Sequence, residues 1–252
     1  MSKYRHHVRR TLAALATERI PSVLDYSDVN LTNILDAGSA ARLLVEILDD
    51  QQLLDTVARH SYAHSNGFDK VTLISNQAPE FKLRLHAWWP KGSSELKQEF
   101  IHNHRWRFTS STLCGAAHVE IFEEDSDGVP MWRYEYSPRE DAVERYQLRP
   151  VGTSTLSSNL ALKLTPGGVY SMSDMALHRV LWVGSTLSIT MFVRWGSVRP
   201  TASVFSQSEI MDERITSVPS FTPTVMRLKL DRILVELSRE ASSRPSRPAV
   251  FP

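Results

Sequence analysis

The residues best suited to chemistry in this chain are histidines. Nine occur in 252 residues, and three have a placement that points to a shared task. His102 and His104 form a His-Asn-His unit within Phe100-Ile-His-Asn-His-Arg-Trp106. On a strand, residues i and i+2 project from one face, so two imidazoles converge, which is two-thirds of a facial metal triad. That pair alone is a common chance pattern. It gains weight from Leu164-Thr-Pro-Gly-Gly-Val-Tyr170, where a Pro-Gly-Gly turn opens an extended run that reaches His178. A third ligand delivered from a distant strand is what a closed barrel permits.

Those histidines need elements to hold them. The first 60 residues read as helices. Tyr4, Val8, Leu12 and Leu15 share one face, as do Leu43, Leu44, Ile47 and Leu48 in Ala40–Asp50. Asp50 is placed to cap a short successor bearing Leu53, Leu54 and Val57. Met1–Thr17 is basic and acid-free but has no apolar h-region, so a docked helix is expected there rather than a secretory signal. Between Val71 and Trp195 the period changes. Phe81–Trp89, Ala117–Phe122, Met131–Tyr136, Val169–Met172 and Leu187–Trp195 are short, β-branched or aromatic runs. Turn signals separate them at Pro90–Gly92, Asp125–Gly128, Pro150–Gly152 and Pro166–Gly168, and the charged Ser137–Arg149 reads as a connector or lid. Pro223 opens a last helical pattern with Met226, Leu230, Ile233, Leu234 and Leu237 on one face. The expected plan is mainly β, a single domain over 1–240. It comprises a helical front (1–60), a β-barrel (about 68–198) and a terminal helix (about 223–240), followed by a flexible tail (241–252).

Composition excludes several classes. The chain is 42% hydrophobic and 23% charged, which is globular rather than disordered. Lys and Arg number 29 against 28 Asp and Glu, a net charge of +1 that argues against nucleic acid or an anionic membrane as main partner. No run is long and apolar enough to predict a transmembrane helix. A lone cysteine, Cys114, allows no internal disulfide and no thiolate-only zinc site, so a reducing cytoplasm is expected. The expected partner is a small-molecule substrate, and a homodimer stays open.

The His-x-His unit, the Pro-Gly turn and the later histidine together resemble the cupin superfamily, whose fold is a double-stranded β-helix or jelly-roll barrel. Within it the chain is most similar to the cysteine dioxygenase (thiol dioxygenase) group. Phe81-Lys-Leu-Arg-Leu-His-Ala-Trp88 resembles the strand leading toward that family's metal strand, and Gly115 falls near its post-strand glycine. Tyr170 followed by Leu177-His-Arg-Val180 resembles its Tyr…Leu-His-Arg-Val segment. The likeness covers roughly residues 60–195. It implies a metal set of His102, His104 and His178, with Fe(II) as cofactor and O2 as co-substrate. Arg107, Phe108 and Thr109 stand where most cupins place a carboxylate, so the implied set is three neutral histidines. Thr109 also stands near the position of the crosslinking cysteine of animal-type enzymes, and Lys70 falls near the arginine that binds substrate carboxylate. The family's distal His and Tyr have no match in Ser188–Arg194. These departures leave the metal set and remove features that select cysteine.

Three neutral ligands preserve the full charge of a divalent ion and favour an anionic or chelating substrate. Each imidazole then needs a partner to set its tautomer, for which Asn103, Ser173 and Asp174 are candidates. The resemblance turns Arg84, His86 and Trp88 toward the pocket, Arg84 as a carboxylate donor or as half of a structural ion pair. Trp106 reads either as a ring that stacks on substrate or as core. Tyr170 reads as a catalytic phenol or as packing, and His118 as a further polar candidate. His6, His7, His60 and His64 are assigned to the surface. The leading expectation is a mononuclear non-heme Fe(II) oxygenase acting on a small, amino-acid or thiol-like anion. The alternatives are a non-oxidative metal-dependent isomerase or lyase and a small-anion-binding cupin without catalysis.

Overall fold

The computed structural model describes residues 3–17, 29–90, 97–138, 145–182, 186–210 and 214–243. Four helices open the chain: α1 (Lys3–Thr17), α2 (Val29–Ile34), α3 (Ala37–Asp49) and α4 (Gln51–Arg59). Asp36 caps α3 by accepting from Ser39 N–H (2.9 Å), and Asp50 caps α4 by accepting from Gln52 and Leu53 N–H. Strands follow: β1 (Tyr62–Ala63), β2 (Asp69–Gln77), β3 (Glu80–Trp88), β4 (Lys97–Gln98), β5 (Ile101–His102), β6 (Trp106–Cys114) and β7 (Ala117–Pro138). After them come β8 (Arg145–Leu164), β9 (Val169–Met172), β10 (Leu177–Trp182), β11 (Ser188–Ser197), β12 (Ala202–Ser206) and β13 (Arg214–Ser217). Helix α5 (Pro223–Ser243) closes the described chain.

The strands make two antiparallel sheets, ordered β1-β2-β3-β11-β6-β9 and β13-β8-β7-β12-β5-β10-β4. From β5 onward the chain passes repeatedly from one sheet to the other, which is the path of a double-stranded β-helix. The fold is mainly β with helices at both ends, as the patterning predicts.

Alternation explains why the first sheet is buried on both faces. In β3, Leu83, Leu85 and Ala87 join Ile189, Met191 and Val193 of β11 in one apolar cluster with the helices. Arg84, His86 and Trp88 face the barrel interior beside Thr190 and Phe192. Met226, Leu230, Ile233 and Leu237 of α5 are fully buried in the helical layer, each contributing roughly 1.5–3 kcal/mol of hydrophobic stabilisation. Asp69 of β2 accepts from Lys229 Nζ of α5 (2.6 Å) and from the Trp89 indole, tying helix to sheet.

The expected boundaries shift in several places. Strands begin at Tyr62 and continue past 198 into β12 and β13, because β12 pairs with both β5 and β7. Asp125–Gly128 does not end a strand. Glu124 and Val129 both pair with Leu156, so the intervening residues bulge out of one long strand. Gly128 is required there, since a Cβ would lie 2.5 Å from the Leu156 carbonyl carbon. Pro150–Gly152 is likewise absorbed into β8, with a register shift opposite Arg133 and Tyr134. Most of Ser137–Arg149 is strand, and only 139–144 lies outside the described residues. Pro166–Gly168 is the expected turn, with Gly167 at φ 89° and Gly168 N–H bonded to Thr165. Helix α5 runs to Ser243, into the expected tail, whose remainder lies outside the described residues, as does Gly92 of the first turn signal. No described helix is long and apolar enough to cross a membrane.

Candidate metal centre

His102 ends β5 and pairs directly with His178 of β10. His104 is not on the same strand. Asn103 bonds Ser203 of β12 twice, through its N–H (3.1 Å) and by accepting Ser203 N–H at its side-chain oxygen (2.7 Å). The chain then leaves the second sheet for β6 in the first, and His104 sits in that crossing. The three histidines nonetheless converge. Their ring centroids are 4.7 Å (His102–His178), 4.8 Å (His102–His104) and 5.1 Å (His104–His178) apart. One ring nitrogen from each lies within 4.8 Å of the others.

Two of the rings have a defined tautomer. His102 Nδ1 lies 2.8 Å from the Phe100 carbonyl and His178 Nδ1 lies 3.1 Å from the Ala176 carbonyl. A carbonyl only accepts, so each Nδ1 carries a proton, and in the neutral ring Nε2 then keeps the lone pair. Burial, reinforced by neighbouring His102, pushes the His178 imidazole down to about 3. Burial also holds His104 well below the ordinary imidazole value, with His102 and His178 adding to the effect. Three imidazoles with no carboxylate among them fit a borderline divalent ion such as Fe(II).

Two cavities meet at this cluster. An outer vestibule of about 160 Å³ and an inner chamber of about 70 Å³ share His64, Asn66, Lys70, His102, His104 and Trp106 as wall. No carboxylate is among the residues described as lining the vestibule, while Lys70 and Arg105 are cationic. Lys70 donates to the Tyr62 hydroxyl (2.8 Å). Arg84, His86, Trp88 and Tyr170 line the inner chamber instead. His86 Nε2 is buried with no hydrogen-bond partner, and burial holds its pKa well below the imidazole norm. Tyr170 meets the edge of Phe108, and burial drives its phenol far upward, so it stays protonated. Trp106 stacks on His104 (5.3 Å, 13°) and has the Arg194 guanidinium 4.7 Å from its ring centroid, so its ring is engaged by protein groups.

Other sequence assignments move. His118 follows the inward-facing Ala117 and precedes the core residue Val119, so alternation turns it outward. His64 is not a surface residue: it sits in the turn after β1, stacks on Phe68 (4.6 Å, 12°) and lines both cavities. Asn103, Ser173 and Asp174 do not orient the imidazoles. Asn103 bonds Ser203, Ser173 accepts from Met175 N–H (3.3 Å), and Asp174 pairs with Arg107 (3.8 Å). Backbone carbonyls take that role, and no side-chain pattern announces them. Glu99 was also not signalled. It is a buried carboxylate in the inner chamber that accepts the Val180 N–H (3.1 Å).

No family model matches the chain, and no curated protein matches it. Solved structures resemble part of it. An uncharacterised double-stranded β-helix protein from Klebsiella pneumoniae is 9% identical over 61% of this chain and 95% of that one (TM-score 0.34). Hydroquinone 1,2-dioxygenase, in complex with Cd2+ and 4-hydroxybenzonitrile, is 12% identical over 50% of this chain and 63% of that one (TM-score 0.30). Oxalate decarboxylase from Lactobacillus farciminis is 12% identical over 56% and 32% (TM-score 0.34). The chain thus spans less than two thirds of the dioxygenase and about a third of the decarboxylase. Likeness at this level carries nothing about chemistry. None of the three is a thiol dioxygenase, so that resemblance stays with the motif residues alone. Fold and site define a double-stranded β-helix with a three-histidine cluster where two cavities meet.

Proposed function

We propose that the chain is a mononuclear non-heme Fe(II) oxygenase of the cupin type that uses O2 on a small anionic substrate. The observation that carries this reading is the convergence of three imidazoles at the cavity wall, two of them with Nδ1 bonded to a backbone carbonyl so that Nε2 is turned to the cluster. His102, His104 and His178 hold the metal. When bound there, Fe(II) would supply Lewis-acid and redox chemistry.

The remaining roles belong to the chain's own residues. Lys70, fixed by Tyr62 at the shared wall, receives the substrate anion. The vestibule matches a small molecule, since a void of ~150 Å³ holds one benzene-sized ligand. Arg84 and His86 offer donors from the inner chamber. Phe108, Phe192 and Trp88 keep water from the chamber. Tyr170, protonated throughout the physiological range, keeps a hydroxyl proton in that chamber.

The test is anaerobic reconstitution with Fe(II), then O2 uptake on a panel of small carboxylates, amino acids and thiols, with His178→Ala alongside. Substrate-dependent uptake by the wild type alone is expected. Turnover that needs metal but not O2 would replace the oxygenase by an isomerase or lyase. Anion binding indifferent to metal, with no turnover, would replace it by a binding protein.

A further inference from the structure

Two of the three imidazoles are aimed by backbone carbonyls, but the third is not. Among the described residues the His104 ring has no hydrogen-bond partner. Its neighbours are aromatic: Trp106 stacked on it at 5.3 Å and 13°, and Phe108 edge-on at 5.1 Å. A ligand histidine needs a fixed ring plane, and a second group normally supplies it. Here a flat ring does so by contact.

Trp106 is itself held. Its indole N–H is buried and finds no acceptor, so no hydrogen bond orients it. Instead the Arg194 guanidinium lies over its ring, 4.7 Å from the centroid. Arg194 is buried and pairs with Glu80 Oε1 (2.7 Å). The other oxygen, Glu80 Oε2, accepts the Ser197 N–H (3.3 Å). The β11–β6 register shifts between Arg194 and Ser197, and Ser197 pairs with Trp106. Glu80 therefore spans the irregularity that brings Arg194 to Trp106, contacting both of its ends. Three neighbouring strands, β3, β11 and β6, each supply one member.

We propose that Trp106 is a positioning residue for His104, and that the Glu80–Arg194 ion pair holds Trp106 in that pose. This rests on the three-histidine metal reading. The chain of contacts runs Glu80, Arg194, Trp106, His104, from a partly exposed carboxylate to a ligand at the cavity wall. Trp106 touches no substrate in this role.

The test uses the metal-free full chain titrated with Co(II), read by visible absorption, for wild type, Trp106→Ala, Trp106→Phe and Glu80→Gln. The expected result is about 10- to 100-fold weaker Co(II) binding in Trp106→Ala with displaced bands. Trp106→Phe, which keeps a flat ring, restores most of the affinity and the band positions. Glu80→Gln shows a smaller loss of the same sign. Wild-type affinity and bands in folded Trp106→Ala would overturn the proposal, as would a lower melting temperature with unchanged bands at saturation. If Trp106→Ala does not fold, wild-type behaviour of Glu80→Gln overturns it. A wild type that takes up no Co(II) at all removes the metal centre itself, and the positioning role with it.

Discussion

His102 and His178 face each other across the β5–β10 ladder with ring centroids 4.7 Å apart, and each Nδ1 is bonded to the carbonyl two residues earlier in its own chain segment. The two rings thus share one device, repeated on paired antiparallel strands. It leaves both Nε2 atoms unengaged without using any side chain. Nitrogen-15 NMR of the metal-free protein should therefore find both rings in the Nδ1-protonated tautomer at neutral pH. Nε2-protonated rings would contradict the assignment.

Lys70 stands on the wall shared by the two cavities, its ammonium bonded to the Tyr62 hydroxyl. Lys70→Met removes a cation from that wall. The KM of the substrate that drives O2 uptake should rise about 10-fold or more, with a smaller change in kcat, since a hydrogen bond to a charged group is worth ~1.5–3 kcal/mol. Steady-state kinetics decide this, and an unchanged KM would place the substrate anion elsewhere.

His86 predicts a pH dependence. Burial first, then Lys70 and Arg84, hold its folded pKa well below 6.5. Above 6.5 both folded and unfolded chains carry it neutral, so stability is flat there. Below 6.5 the unfolded chain gains a proton that the folded chain refuses, so stability falls with falling pH. His64, His104 and His178, each held below the ordinary imidazole value first by desolvation, act with the same sign. Urea midpoints of metal-free protein should drop between about pH 7 and pH 5, and His86→Phe should show a smaller drop. An equal drop would acquit His86.

Lys229 of α5 compensates Asp69, a carboxylate buried under the helix, at 2.6 Å. Lys229→Met leaves that charge with the Trp89 indole alone. Loss of one partner of a buried pair costs about 3 kcal/mol or more. Chemical denaturation measures it, and a loss below about 1 kcal/mol would show that water reaches Asp69.

Much of this architecture is legible in the residues. The apolar stripes of α1, α3 and α5 read from their period, because period reports burial; the strand carrying Arg84, His86 and Trp88 reads as two-faced from its alternation, and the face that turns to the pocket comes only from the resemblance. The three histidines read from type and motif. What does not read depends on the path of the backbone. His104 reaches the cluster by crossing between sheets rather than by strand alternation, a step made by Asn103 and Ser203. The tautomer-setting groups are carbonyls, which every residue possesses. His64 enters through a turn, where no period exists. Asp125–Gly128 carries every sign of a turn, yet pairing of Glu124 and Val129 with one residue, Leu156, overrides local propensity.

The central claim is that His102, His104 and His178 together hold one metal ion. Its most direct test is elemental analysis of protein purified without added metal and again after Fe(II) reconstitution, for wild type beside His102→Ala, His104→Ala and His178→Ala. The account predicts close to one iron per chain in the reconstituted wild type and near-complete loss in each variant. Little metal in the wild type after reconstitution, or iron retained by all three variants, would contradict it.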